Sequence, residues 1–166
     1  MPRIELTREL PVSVEGGFEY ITNVRNWSSY WPGLIEVRAP EETSWSKPGD
    51  RAHVVMQVLG RPTEYTMTLD ELRPNELVVY RTEARGVLPA ARHERRFRPT
   101  GDHLEYGLVV EYEPRRGLRG ITDRLIVPRA ARRAFAETVE NLERIFWGDR
   151  SRGAGNPEPL SSSRDD

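Results

Sequence analysis

The chain has 166 residues, with 25 basic against 26 acidic side chains and no cysteine. That length suits one domain, at about 100–200 residues each, and it allows a sizeable core or an internal cavity. The missing cysteines exclude disulfides and thiolate metal sites, and the balanced charge argues against a dominant nucleic-acid face, which carries a basic excess.

In chain order, RIELTREL (3–10) alternates with Ile4, Leu6 and Leu10 on one parity, as a half-buried strand does, and Pro11 ends it. Ser13 is a good N-cap for a short helix with Phe18, Ile21 and Val24 on its inner face. Asn26 is the expected cap of a second short helix carrying Trp27, Tyr30 and Trp31, which Pro32-Gly33 terminates. Strands follow at 34–40, 51–60, 62–72, 76–84, 91–99 and 103–114. Trp45 and the Lys47-Pro48-Gly49-Asp50 turn precede the second of these. The separators Gly60-Arg61-Pro62, Pro74-Asn75, Gly86 to Pro89 and Pro99 to Asp102 are turn chemistry, and their shortness favours an antiparallel meander.

From Gly120 to about Trp147 the period becomes helical, with Ile121, Leu125, Phe135, Val139, Leu142 and Phe146 apolar. Pro128 is expected to kink or restart this helix. The domain should therefore span residues 1–148, and the apolar-poor tail at 149–166 is expected to be disordered. The fold class that follows is α+β in two layers: a curved, seven-stranded antiparallel sheet wrapped around a long C-terminal helix, with two short helices after the first strand. Helix and curved sheet cannot touch everywhere, so a space is left between them.

Strand parity assigns the concave face, a one-residue slip being what would reverse it. Ala52, Val54, Met56 and Val58 face inward, as do Tyr65, Met67 and Leu69, then Val78, Tyr80, Thr82 and Ala84, and finally Leu104, Tyr106, Leu108, Val110 and Tyr112. In 91–98 the face Arg92, Glu94, Arg96 and Arg98 is wholly charged and belongs in solvent. By elimination His93 and Arg95 point inward with Phe97. An inward arginine needs a carboxylate, carbonyls, water or a ligand as partner.

The strings LPVSVEGGFEYITNVRNWSSYWPGLIEV and PGDRAHVVMQVLGRPTEYTMTLDELRPNELVVYRTEA, with the final helix, resemble the START-like (SRPBCC, Bet v 1-like) superfamily. Within it they look closest to the polyketide cyclase/dehydrase and lipid-transport-like branch. The resemblance covers roughly residues 3–147 and implies the helix-grip fold with a deep, mainly apolar pocket. Its carriers, sensors and enzymes share one architecture, so function has to be argued from the site. In that architecture the second short helix lies at one end of the pocket. The expected ligand-binding residues are Trp27, Trp31, Val54, Met56, Tyr65, Met67, Tyr80, His93, Arg95, Tyr106, Leu108 and Phe135. Core packing is the competing reading of the tryptophans, a loop anchor that of Trp45, and pairing with a surface acid that of Arg95.

His53, His93 and His103 lie on separate elements without metal-ligand spacing, so neither a metal nor another cofactor is expected. There is no glycine-rich phosphate loop and no nucleophile elbow. An enzyme here would have to fold a reactive substrate and offer proton donors, with His93 and Arg95 the catalytic candidates. No apolar run reaches the ~20 residues of a spanning helix, and MPRIELTREL does not read as a secretory signal. A cytoplasmic protein is the expectation. Its partner should be a hydrophobic small molecule (lipid-, polyketide- or isoprenoid-like), bound for transport, sequestration or sensing. The alternative is an aromatase/cyclase-like enzyme on a polyketide-type substrate. No nucleic-acid partner and no integral membrane segment are expected. The segment Arg115 to Arg133, with seven arginines and one acid, is a candidate for weak docking on an anionic surface.

Overall fold

The computed structural model describes residues 1–38, 45–58, 60–85 and 88–153. Strand β1 (Arg3–Leu10) leads into helix α1 (Val14–Thr22), a 3-10 turn (Val24–Asn26) and the one-turn helix α2 (Trp27–Tyr30). Strands β2 (Leu34–Arg38), β3 (Arg51–Val58), β4 (Arg61–Arg73), β5 (Leu77–Thr82), β6 (Ala91–Thr100) and β7 (His103–Tyr112) follow, and α3 (Leu118–Gly153) closes the chain. The sheet is seven-stranded in the order β1-β7-β6-β5-β4-β3-β2, antiparallel throughout. This is the helix-grip arrangement. Irregular register between Leu34 and Glu36 and between Leu69 and Glu71 marks places where one strand carries an extra residue, which bends and twists a sheet.

Ser13 caps α1, its hydroxyl accepting from the Gly16 amide at 3.2 Å. The next cap differs from the expectation. Asn23, and not Asn26, supplies the capping oxygen, accepting from the Arg25 amide at 3.0 Å, while the Asn26 amide group donates to the Tyr20 carbonyl at 3.1 Å. Val24 therefore sits in the 3-10 turn and not on α1. The second helix is one turn long, and Trp31 lies past its end in extended backbone. Pro32-Gly33 leaves no room to continue the helix.

The strand boundaries match the turn chemistry to within a few residues. Asn75 adopts φ 62°, a left-handed conformation that asparagine tolerates better than most residues. Leu59, Gly86, Val87 and the end of the expected 34–40 strand (39–40) lie outside the described residues. Ala84 falls beyond β5 and is exposed, so the inward parity stops at Thr82.

Helix α3 runs through Pro128 without interruption, so the expected restart does not occur. Pro128 costs the helix one amide donor. It also extends past Trp147 to Gly153; residues 154–166, the rest of the expected tail, lie outside the described residues. The main core joins Phe135, Val139, Leu142 and Phe146 of α3 to Leu10, Ile21, Trp27, Phe97 and Leu104. Burying each such side chain stabilises by about 1.5–3 kcal/mol. The amino-terminal half of α3 does not share this core. Ile121 and Leu125, expected on the buried stripe, are exposed.

Candidate functional site

The concave face and the amino-terminal half of α3 enclose a cavity of about 480 Å³. That volume suits a drug-sized molecule. Its walls are mostly apolar: Val54, Met56, Met67, Leu108 and Val110 from the sheet, and Val127, Ala130, Ala131, Ala134 and Phe135 from α3. One group of polar side chains on the sheet is set by strand pairing. Tyr80, His93 and Val110 are successive neighbours across β5, β6 and β7, and so are Val78, Arg95 and Leu108. Side chains directly opposite on one face of a sheet lie close enough to touch. Strand pairing therefore brings Tyr80, His93 and Arg95 together.

Arg95 is only 6% exposed. Its Nη1 donates to the Tyr30 hydroxyl and its Nη2 to the Tyr80 hydroxyl, each at 3.3 Å, while Nε has no partner among the described residues. Its guanidinium carbon lies 4.9 Å from the Trp31 ring centroid and 5.3 Å from that of Tyr80. No ion pair between Arg95 and a carboxylate occurs among the described residues, so the competing surface pairing is not what is seen. Desolvation works against its charge, but the ring oxygens of Tyr80, Tyr106 and Tyr30 hold its pKa above the ordinary arginine value. The cavity thus contains a fixed cation held by rings and hydroxyls. Such cation–π contacts contribute about 0.5–2 kcal/mol each.

His93 stacks on Tyr80, with centroids 4.7 Å apart and planes 5° from parallel, and its Nε2 lies 3.4 Å from the Thr82 hydroxyl. It is half-buried and turns toward the cavity. Loss of water, and then repulsion from Arg95, push its pKa down to about 3. It is therefore neutral at physiological pH, a hydrogen-bonding group and not an acid. The unfolded chain takes up this proton near the ordinary value of about 6.5, whereas the folded protein refuses it until about pH 3. Stability should thus fall as pH drops through that window, by up to about 1.4 kcal/mol per pH unit from this group. Urea melts at pH 4, 5 and 6 should show a shallower decline for His93→Gln; identical slopes would refute the assignment.

The tryptophans divide between two jobs. Trp27 and Tyr30 are each 1% exposed and both donate to the Ile21 carbonyl, at 3.1 and 2.7 Å. Trp45 packs edge-on against Trp27 (5.4 Å) and Tyr80 (5.8 Å), as an anchor of its loop. Trp27 has no place in the cavity wall, whereas Trp31, Val54, Met56, Tyr65, Met67, Tyr80, His93, Arg95, Tyr106, Leu108 and Phe135 all line it. The Tyr65 hydroxyl is buried without a hydrogen-bond partner among the described residues, and desolvation pushes its pKa up to about 12.

Strand parity cannot find the lining that α3 and its approach supply. Ala130, Ala131 and Ala134 share a face, and this small-residue cluster was the available sign of space above the sheet. Asp123 and Arg115 line the cavity close by. Asp123 accepts from the Arg115 amide (2.9 Å), Nε (3.0 Å) and Nη2 (2.6 Å). These bonds hold its carboxyl below the usual carboxylate range. A Cβ at Gly120 would collide with the Arg115 carbonyl, which explains the glycine at this bend. Asp123→Asn should cost about 1.5–3 kcal/mol, the worth of charge-assisted hydrogen bonds, read as a lower urea midpoint. An unchanged midpoint would show the latch to be idle. Among the described residues no group of three histidine or acidic side chains is placed to hold a metal ion, and no helix is long and apolar enough to cross a membrane.

Known proteins share this fold. The protein TTHA0849 from Thermus thermophilus superposes with a TM-score of 0.71 at 15% identity, over 89% of this chain and 99% of its own. A START superfamily protein from Mycobacterium smegmatis gives 0.70 at 12% identity, over 88% and 97%. The di-domain ARO/CYC BexL from the BE-7585A biosynthetic pathway gives 0.68 at 18% identity, over 86% of this chain and 47% of its own. At such identities the likeness concerns the fold. No curated protein sequence matches the chain significantly. The family described as polyketide cyclase / dehydrase and lipid transport matches residues 1–146, nearly all of the described chain. The chain belongs to that family.

Proposed function

We propose that this protein binds a hydrophobic or aromatic small molecule bearing an anionic or strongly accepting oxygen, for transport, sequestration or sensing. The observation that carries the reading is Arg95, a buried cation lining an apolar cavity without a carboxylate partner among the described residues. A ligand carboxylate, enolate or carbonyl oxygen would supply the missing acceptor, while the apolar walls take the rest. Neutral His93 and the Tyr80 hydroxyl stand ready to orient that oxygen.

A second reading, an aromatase/cyclase-like enzyme, draws on the same cation, which would stabilise charge developing on an enolate. The name of the BexL neighbour fits it. His93 with a pKa near 3 is a weak base, which favours binding over proton transfer. An anionic ligand at Arg95 would raise that pKa and narrow the gap.

Native mass spectrometry on protein purified from its own host, set against the denatured mass, tests the primary reading. A discrete extra mass that disappears in Leu108→Trp is expected. An apo mass with no uptake from a library of aromatic and fatty acids would refute it. Conversion of the bound species, with a pH profile abolished by His93→Ala, would favour the enzyme.

A further inference from the structure

The outer face of α3 carries apolar side chains that the fold leaves uncovered. Ile121 is 59% exposed, Leu125 55% and Ile126 48%. At about 100° per residue, Ile121, Leu125, Arg129 and Arg132 fall on one outward stripe. The charge around it is of one sign. From Arg115 to Arg133 the only acid is Asp123, and Arg115 engages it. Exposed Arg116, Arg124 and Arg132 meet no carboxylate among the described residues, and Arg129 donates to the Leu125 carbonyl at 2.8 Å. At the end of the segment Arg133 pairs with Glu137, and on the sheet Arg3, Arg73, Arg81, Arg92, Arg96 and Arg98 each pair with a carboxylate. A nearly neutral protein therefore gathers positive charge, uncompensated among the described residues, on one apolar-studded face.

We propose that this face docks on an anionic phospholipid bilayer. Charge complementarity selects an anionic partner, and the interleaving of aliphatic side chains with arginines selects a lipid interface. There the aliphatic groups enter the acyl boundary, while the arginine stems let guanidinium groups reach the phosphates. A protein partner fits less well: from Arg116 to Ala134 the chain has no aromatic residue, and protein interfaces concentrate their energy in tryptophan and tyrosine as well as arginine. Docking this way would lay the outer face of α3 on the lipid, with the cavity behind the same helix. The docking itself does not depend on what the cavity holds.

The test is co-sedimentation of the full chain with phosphatidylcholine vesicles, with and without about one third phosphatidylglycerol. Binding is expected only to the anionic vesicles, weakening as salt rises. Arg124→Glu/Arg132→Glu should reduce it at least about tenfold. Ile121→Ser/Leu125→Ser should also reduce it several-fold, with the thermal midpoint and cavity-probe binding of both variants unchanged. No sedimentation, or equal sedimentation with both vesicles, overturns the proposal. So does loss in the arginine variant alone with the serine variant unaffected, which would mark a purely electrostatic surface for an acidic macromolecule.

Discussion

Arg95→Met should weaken binding of an aromatic carboxylate about 10- to 100-fold while leaving the thermal midpoint unchanged or slightly higher. The first half follows from losing hydrogen bonds to a charged group, each contributing about 1.5–3 kcal/mol. The second follows from the environment: Arg95 is buried with only neutral partners and an Nε unpartnered among the described residues. Replacing a poorly compensated buried charge by an apolar side chain of similar length is often neutral or stabilising. The Tyr80 and Tyr30 hydroxyls each lose a donor, a cost of about 1 kcal/mol apiece that offsets part of the gain. Fluorescence titration with anthracene carboxylate and the neutral anthracene methanol separates charge from shape. The variant should lose its preference for the acid and keep the alcohol. A midpoint collapse, as when one partner of a buried ion pair is removed at about 3–5 kcal/mol, would instead make Arg95 a structural residue.

Trp27→Ala and Trp31→Ala should separate stability from binding at neighbouring aromatic positions. Trp27 is sealed between Ile21, Trp31 and Trp45. Its truncation should cost about 3–5 kcal/mol, a fall in midpoint of roughly 6–20 °C for a domain of this size. Trp31 is half-buried and lies against Arg95 on the cavity wall. Its truncation should change the midpoint by only a few degrees and reduce anthracene carboxylate affinity about tenfold, since it removes both a cation–π contact and a flat wall. Differential scanning fluorimetry with the same titration reads both quantities. The reverse pattern would place the ligand contact at Trp27.

These two residues also show where reading the chain succeeds and where it stops. Composition and spacing mark Trp27, Tyr30 and Trp31 as a cluster, but which ring faces the core depends on where α2 ends. Asn23 caps the preceding 3-10 turn, and α2 closes after one turn ahead of Pro32-Gly33, so Trp31 leaves it. Caps by two nearby asparagines are nearly isoenergetic, and the Tyr20 carbonyl that engages Asn26 becomes available only once the chain turns between α1 and α2. Arg95 and His93 are different. A charged outer parity leaves one alternative face, so their inward direction is legible from strand alternation alone. Their mutual contact with Tyr80 and Tyr30 is not, because cross-strand register and helix placement are long-range.

Helix α3 gives the clearest division. Its period announces one buried stripe from Ile121 to Phe146, and the second half obeys it. The first half leaves Ile121 and Leu125 in solvent and turns Val127, Ala131 and Ala134 to the cavity, where Val127 and Ala131 pack near Ile4, Val110 and Tyr112. Periodicity reports which side of a helix is apolar, but it carries no information on how far the opposing sheet curves away.

Side-chain alternation and turn chemistry over a few residues fix the elements, their antiparallel order and the inward faces of the strands. Long-range packing sets the cavity, the placement of Trp31 against Arg95 and the isolation of the Arg95 charge. Each of these depends on a distance between segments far apart in the chain, set by sheet curvature and helix placement that no local pattern encodes.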